Sequence, residues 1–361
     1  MEPGIERRKE KRSERESKKG LKRIEKRIEQ SMEPSIDMII ERIPAPVPAV
    51  TVLMPAYNTE KYIAEAIRSV LEQHFSDFEL LIINDGSTDG TEAIIRSFKD
   101  PRIVLVTQAN QGVSAALNTG LRQARGRFIA RFDADDTCYP DRLRKQYDFM
   151  AANPDYVLIG SDADYVDQEG EPLFYYSNIG HSYEEILEKI GIYCPFVHST
   201  VFYRKDIVLE LGGYEPKAHT FEDWLLWMQF IKKGKALNVR EALIAVRLNP
   251  ESVTVDEKLR GKRFSQLKKE ILTGGLPITD VQEKELKRIL KSQDFSAFKH
   301  YSYYILVAKK YLWNNYNPAR SRRHSAKAIG LKPFLPGGYL LFLLSLLPER
   351  TLRYLHKKSK G

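Results

Sequence analysis

From Val50 onward the apolar positions fall into short runs separated by polar turns. Val50-Thr51-Val52-Leu53-Met54 is β-branched and closed by Pro55, which predicts a buried strand. Ile63, Ala66, Ile67 and Val70 then recur at intervals of three and four, the period of a helix laid on a core. The alternation continues. Residues 78–83 predict a second strand, and Ile94, Ile95 and Phe98 a second helix. Residues 103–106 predict a third strand, 113–124 a third helix and 128–132 a fourth strand. Strands alternating with helices of this length predict an α/β fold with a doubly wound, mostly parallel sheet. Such sheets hold their ligands beyond the carboxyl ends of the strands.

Past Asn153 the pattern loosens. Residues 156–160 and 199–203 read as strands, with a turn at Glu169-Gly170 between them, and 183–190 and 223–233 read as helices. From about Asp256 the chain is charged and helical in period, with Tyr301, Tyr304, Ile305, Ala308 and Tyr311 on one stripe, so a C-terminal α-helical region is expected. Residues 1–45 form a Lys-, Arg- and Glu-rich leader, flexible or helical, in which Leu21, Ile24, Ile28 and Met32 keep helical spacing. Pro44, Pro46 and Pro48 mark a linker. The expected organisation is a leader (1–45), a doubly wound domain (46–255) and a helical region (256–361).

Residues 333–348 are uncharged and dense in Leu and Phe. A spanning helix needs about 20 apolar residues, and Pro336-Gly337-Gly338 interrupts this run. It reads either as a terminal helix buried against its neighbours or as part of a membrane-surface segment over 333–360. In the second case Arg350, Arg353, Lys357, Lys358 and Lys360 would meet anionic headgroups.

Composition narrows the class. With 361 residues, 42% hydrophobic and 29% charged, the chain can build a large core and is neither disordered nor collagen-like. Cys138 and Cys194 are its only cysteines, so no disulfide framework or Cys-based zinc site is expected, and a reducing, cytoplasmic setting fits. The net charge of +9 would attract nucleic acid or anionic lipid alike. In the leader, however, basic residues alternate with Glu and lack aromatics for base stacking, so no nucleic-acid partner is expected. The start lacks the apolar stretch of a secretory signal. The expected location is cytoplasmic, peripheral on the inner face of the cell membrane.

The predicted strand ends carry the chemistry. The first gives Pro55-Ala56-Tyr57-Asn58, the second Asn84-Asp85-Gly86-Ser87-Thr88-Asp89-Gly90 and the fourth Asp133-Ala134-Asp135-Asp136. A doubly wound sheet would bring all three to one edge. The second also reads as a turn and helix cap, with Asp89 and Glu92 as a capping box. That leaves Asp85, a carboxylate placed to hydrogen-bond a base or ribose. Three carboxylates in four residues repel one another unless a cation or hydrogen-bond donors sit among them. Oxygen-only ligands suit Mg²⁺ or Mn²⁺; capping of the helix near Pro140 is the alternative. Neither Gly-x-Gly-x-x-Gly after the first strand nor Gly-x-x-x-x-Gly-Lys-Ser/Thr occurs, which removes the main support for dehydrogenase and P-loop readings. Glu222 and Asp223 open a predicted helix bearing Trp224, Trp227, Met228 and Ile231, where acids suit the macrodipole.

Residues 50–58, 81–91, 110–120 and 124–136 resemble successive blocks of family-2 glycosyltransferases of the GT-A fold, in the nucleotide-diphospho-sugar transferase superfamily. His198-Ser199-Thr200 with Arg204, Leu211-Gly212-Gly213-Tyr214 and Phe221-Glu222-Asp223-Trp224 continue the resemblance, which spans about 50–248. It implies inverting transfer of a hexosyl or N-acetylhexosaminyl unit from a nucleotide-diphosphate sugar to a hydroxyl of a carbohydrate or lipid-linked acceptor. UDP is the commonest nucleotide for such enzymes, with dTDP and GDP open. By this resemblance the donor is bound by Pro55, Ala56, Tyr57, Asn58, Asp85, Gly86, Ser87, Gln111, Gly112, Asn118, Asp133, Ala134 and Asp135, with Ala56, Tyr57 and Asp85 on the base and ribose. Asp133 and Asp135 form the Asp-x-Asp motif on Mg²⁺ or Mn²⁺. Asp223 matches the catalytic base, and Glu222, Trp224 and His198 take acceptor or auxiliary positions. Ala116 stands where the family often has Arg. The Gln-x-x-Arg-Trp block and multiple membrane helices of processive synthases are missing from the sequence. Single-sugar transfer in polysaccharide, lipopolysaccharide or glycolipid biosynthesis is the resulting expectation. A sugar-nucleotide nucleotidyltransferase would need a Gly-rich, basic loop after the first strand, which Pro55-Ala56-Tyr57-Asn58 does not supply.

Overall fold

Alternation along β1 (Val50–Ala56) makes this strand serve two layers at once: Val50, Val52 and Met54 enter one core and Leu53 the other. The computed structural model describes residues 47–251, 261–292 and 296–360. The leader, its spaced apolar residues and the expected boundary near Asp256 lie outside the described residues. Those from Pro48 onward belong to one compact unit, Pro48–Gly361.

β2 (Phe78–Asn84), β3 (Ile103–Thr107) and β4 (Phe128–Arg131) run parallel with β1 in the order β3-β2-β1-β4. Parallel neighbours need crossovers, and α1 (Ile63–Leu71), α2 (Thr91–Ser97) and α3 (Val113–Gln123) supply them. Helices α1, α2 and α4 (Arg142–Ala152) cover the first face through Ile63, Ile67, Ile95, Leu143 and Met150. α3 covers the second with Ala116, Leu117 and Leu121. Its close seat on β1 depends on Gly120, where a Cβ would stand 2.1 Å from Leu53 Cδ1. The sheet is thus doubly wound, as expected.

Beyond β4 the sheet becomes mixed. β8 (Phe202–Arg204) runs antiparallel between β4 and β6 (Tyr156–Val166), while β9 (Lys235–Arg247) pairs parallel with β6. β5 (Thr137–Cys138) lies antiparallel on β9, and β7 (Pro172–Tyr176) forms a hairpin with β6 around the turn expected at Glu169-Gly170. β7 and β9 escape the hydrophobic pattern. β9 carries Asn238, Arg240 and Glu241 mid-strand; Asn238 is buried, with its amide donating to Pro195 O at 2.8 Å. Residues 198–200 close into a 3₁₀ turn, which shortens the strand expected over 199–203.

α5 (Tyr183–Lys189), α6 (Lys205–Glu210) and α7 (Glu222–Phe230) pack on the α3 side. The helical region follows with α8 (Lys262–Gly274), α9 (Asp280–Ser292), α10 (Ser296–Trp313), α11 (Pro318–Leu331), α12 (Pro336–Leu344) and α13 (Glu349–Lys360). The single stripe expected on α10 is instead two. Tyr303, Val307 and Tyr311 face Leu173 and Leu248, whereas Ala308 and Leu312 face Leu341 and Leu352. The helix is therefore wedged between the β6–β7 hairpin and the terminal helices. Among the described residues no helix is long and apolar enough to cross a membrane.

Candidate active site

The carboxyl ends of β1, β2 and β4 open into a cleft of about 1220 Å³. Its lining includes Pro55, Ala56, Tyr57, Asn58, Asp85, Gly112, Asp133, Ala134 and Asp135, with His198, Glu222, Asp223 and Trp224 also on its walls. Tyr57 is half exposed, leaving a ring free for stacking. Gly86, Ser87, Gln111 and Asn118 do not line the cleft; they build what does. Gly86 has φ +72°, and a Cβ there would stand 2.7 Å from Asn110 N. Ser87 Oγ accepts from Asn58 N at 3.1 Å, and Asn58 Oδ1 accepts from Thr88 N at 2.8 Å, latching the first loop to the second. The backbone amides of Gln111 and Gly112 donate to the buried Asp85 carboxylate at 3.0 and 2.8 Å, and Gln108 Nε2 donates at 2.7 Å. Asn118 clamps Tyr214 by both backbone groups, at 2.8 and 2.7 Å. The expected capping box forms only in half. Asp89 accepts from Thr91 N at 3.0 Å, but Glu92 turns to Asn84 Nδ2 at 2.8 Å and to Arg96.

At the end of β4, one carboxylate oxygen from each of Asp133, Asp135 and Asp136 lies within 4.8 Å of the others. Asp133 pairs with the buried guanidinium of Arg131, and its N–H donates to Ser199 Oγ at 3.1 Å. Asp135 accepts from Asn249 Nδ2 at 2.8 Å; burial and then the Asp133 charge push its carboxyl up to about 7. Asp136 Oδ1 accepts the Arg247 N–H at 2.8 Å, while its buried Oδ2 has no partner among the described residues. Burial, then the charges of Asp135 and Asp133, push this carboxyl well up. Arg247 Nε donates to Asp135 O at 2.9 Å and its Nη2 pairs with Glu65 at 2.7 Å, so its charge is partly spent elsewhere. A crowded oxygen-only set with one orphaned, buried carboxylate oxygen fits a hard divalent cation.

On another wall of the cleft Glu222 opens α7, buried, with Oε2 unpartnered among the described residues. Burial and then the Asp223 charge push its carboxyl up to about 7. Asp223 Oδ1 accepts from Trp224 N at 2.7 Å. Trp224 Nε1 donates to Ile190 O at 2.6 Å, which fixes the indole beside the cleft. His198 is held well below its usual range by burial and then by the Arg131 charge, so the ring is neutral; its Nε2 lies 3.2 Å from Tyr214 Oη. Asn118, Tyr214 and His198 thus connect α3 to the cleft wall.

Sequence reasoning missed several members of the site. Arg131 had a readable signal, a lone Arg in an apolar strand just before two aspartates. Arg247 ends β9, a strand the pattern hid, and Asn249 follows it. Tyr176 and Asn178 enter from the hairpin side, and Lys268 and His300 from α8 and α10. Nothing local marks these four, because only the folded chain brings them to the cleft.

The profile of glycosyl transferase family 2 matches residues 51–212. EpsE of Bacillus subtilis (strain 168), a glycosyltransferase by assignment, is 34% identical over 211 residues, covering 55% of this chain and 72% of EpsE. The amylovoran biosynthesis glycosyltransferase AmsE of Erwinia amylovora is 28% identical over 251 residues, 68% of this chain and 88% of AmsE. Among solved structures, the mannosyltransferase PcManGT from Pyrobaculum calidifontis, in complex with GDP-Man and Mn²⁺, aligns with a TM-score of 0.50 at 18% identity. That alignment covers 87% of this chain and 84% of PcManGT, and the likeness is one of fold. With a GT-A sheet, a cleft at its carboxyl edge and relatives of this extent, the chain belongs to glycosyl transferase family 2 and is a glycosyltransferase.

Proposed function

We propose that this enzyme is a metal-dependent, inverting, non-processive glycosyltransferase that moves one sugar from a nucleotide-diphosphate donor to an acceptor hydroxyl. The observation that carries the reading is the shared cleft, in which the acidic triad of residues 133–136 and the Glu222-Asp223 pair both stand. Tyr57, with Pro55, Ala56, Asn58 and Asp85, would hold the base and ribose. A divalent ion held by Asp133, Asp135 and Asp136 would stabilise the negative charge growing on the departing nucleoside diphosphate.

Asp223 takes the proton from the acceptor hydroxyl as its oxygen bonds to the anomeric carbon and the bond to the diphosphate breaks. Displacement from the opposite face inverts that carbon. Because burial and Asp223 keep Glu222 protonated up to about pH 7, the charge of the pair rests on Asp223, where the base is needed. Trp224 and neutral His198 shape the acceptor side. AmsE is named for amylovoran biosynthesis, which supports a role in polysaccharide biosynthesis here, and PcManGT was solved with GDP-Man and Mn²⁺, which supports a sugar-nucleotide donor. UDP is the first nucleotide to test. The nucleotidyltransferase and nucleic-acid alternatives draw no support from the cleft or from the relatives named.

Two substitutions separate the roles. Asp135→Asn should weaken Mn²⁺-dependent nucleoside-diphosphate binding at least about tenfold in calorimetry. Asp223→Asn should leave that binding within about threefold and cut turnover by roughly 10²–10⁴. Wild-type turnover in Asp223→Asn would remove the base assignment, and binding indifferent to Mn²⁺ and chelator would remove the metal.

A further inference from the structure

The charge of the chain is segregated. Between Phe295 and Gly361 stand 13 Lys and Arg against a single acid, Glu349, so this stretch is more positive than the whole chain, whose net charge is +9. It includes the terminal helices α11, α12 and α13. There α12 turns Gly338, Leu341 and Ser345 inward and leaves a row of apolar side chains outward. Tyr339, Leu340 (59% exposed), Leu343 (62%) and Leu346 follow one another at helical spacing, and Phe334 just before them is 97% exposed. A phenylalanine so fully in water, continued by a leucine row, is an apolar patch in search of a partner.

Basic residues frame this patch. Lys332 lies two positions before Phe334, its ammonium 4.5 Å from the Phe298 ring, and Arg350, Lys357 and Lys358 are exposed on α13. We infer that α12 and α13 dock the protein on an anionic bilayer, Phe334, Leu340 and Leu343 entering the acyl boundary while the basic residues meet headgroups. Charge complementarity selects this occupant. A second copy could cover the leucines only by bringing two strongly positive faces together. A nucleic acid would match the charge but give Phe334 and the leucines no apolar phase to enter. A bilayer supplies both phases at the right depths.

The placement has a consequence for the cleft. The Pro336-Gly337-Gly338 turn sits on the first turns of α10, where a Cβ at Gly337 would stand 2.9 Å from Tyr301 Oη. The neighbouring residue His300 lines the cleft. α12 therefore packs on the helix that carries one wall residue of the cleft. The docking itself does not depend on the transfer chemistry.

The test is flotation of the full chain with phosphatidylcholine vesicles, with and without about 30 mol% phosphatidylserine. Binding should require the anionic lipid and fall steeply at about 0.5 M salt. Phe334→Ser/Leu343→Ser and, separately, Arg350→Glu/Lys357→Glu/Lys358→Glu should each weaken it about tenfold or more with an unchanged circular dichroism melt. All five positions are exposed, so neither variant asks the core to repack. Binding that survives both sets, or that never occurs, would overturn the inference. So would a wild-type dimer in sedimentation that the Phe334→Ser/Leu343→Ser variant converts to monomer, or a wild-type preference for RNA over vesicles in direct competition.

Discussion

Glu222 is a buried carboxyl with one oxygen that has no partner among the described residues, an environment its type rarely tolerates when ionised. A carboxyl raised to about 7 by burial and by Asp223 binds its proton more tightly in the folded than in the unfolded chain. The sign follows from linkage. Such a group leaves stability intact below its unfolded value, then lowers it as pH climbs toward 7, and holds it at the lower level above that. Glu222→Gln cannot ionise and escapes the loss. The variant should melt with the wild type near pH 4 and should be more stable at pH 8, by an amount on the order of 3 kcal/mol. Urea melts at the two pH values measure it. A gap of equal size at both would mean that packing rather than ionisation separates the two side chains. Activity adds a second reading: if neutral Glu222 only keeps charge on Asp223, the Gln variant should retain turnover at pH 6 and lose less of it toward pH 8 than the wild type.

Elements differ in how plainly the sequence announces them, and the reason lies in what each one touches. β1, β2 and β4 are buried on both faces, so they read as apolar runs with turn residues behind them. Their ends carry Asp85, Asp133 and Asp135 in fixed local register, which is why much of the candidate donor shelf was legible. β9 was not, because buried Asn238 and exposed Arg240 and Glu241 break its run, and Asn238 and Glu241 are explained only by tertiary partners, Pro195 O and Lys145. With β9 went Arg247 and Asn249, and with the wedged position of α10 went His300. Asn118 reads as a motif residue yet spends its amide on Tyr214. The contact of α3 with β1 offers a direct test at this scale. In Gly120→Ala the new methyl would meet Leu53 Cδ1 at 2.1 Å and Ile83 Cγ1 at 3.2 Å. Ala gains up to about 1 kcal/mol of helix propensity, but overpacking costs roughly 1–3 kcal/mol. Net loss should win, seen as a lower urea midpoint at unchanged m-value. A higher midpoint would show that α3 can lift off the sheet without cost.

At the scale of the whole molecule, the cleft has walls from both the sheet and the C-terminal helices, since Lys268 on α8 and His300 on α10 line it with Asp133 and Asp223. A ligand filling it should therefore couple regions far apart in sequence. Mn²⁺ alone meets a triad partly satisfied by Arg131 and Asn249, and a nucleoside diphosphate alone meets that acidic ledge, so each should raise the melting temperature only slightly. Together, with the diphosphate oxygens and the carboxylates sharing one ion, the shift should exceed the sum of the two. At about 100 times the dissociation constant the gain is about 2.7 kcal/mol, and chelator should abolish it. UDP, GDP and dTDP compared in this way rank the base that the proposed shelf of Tyr57 and Asp85 would accept. Hydrogen exchange on the same samples then asks how far the ligand reaches. Added protection confined to the β1, β2 and β4 ends would mean that the nucleotide stops at the shelf and that Lys268 and His300 serve the acceptor. Protection extending to α8 and the start of α10 would mean that the donor itself bridges the two walls, and that closing them is part of binding.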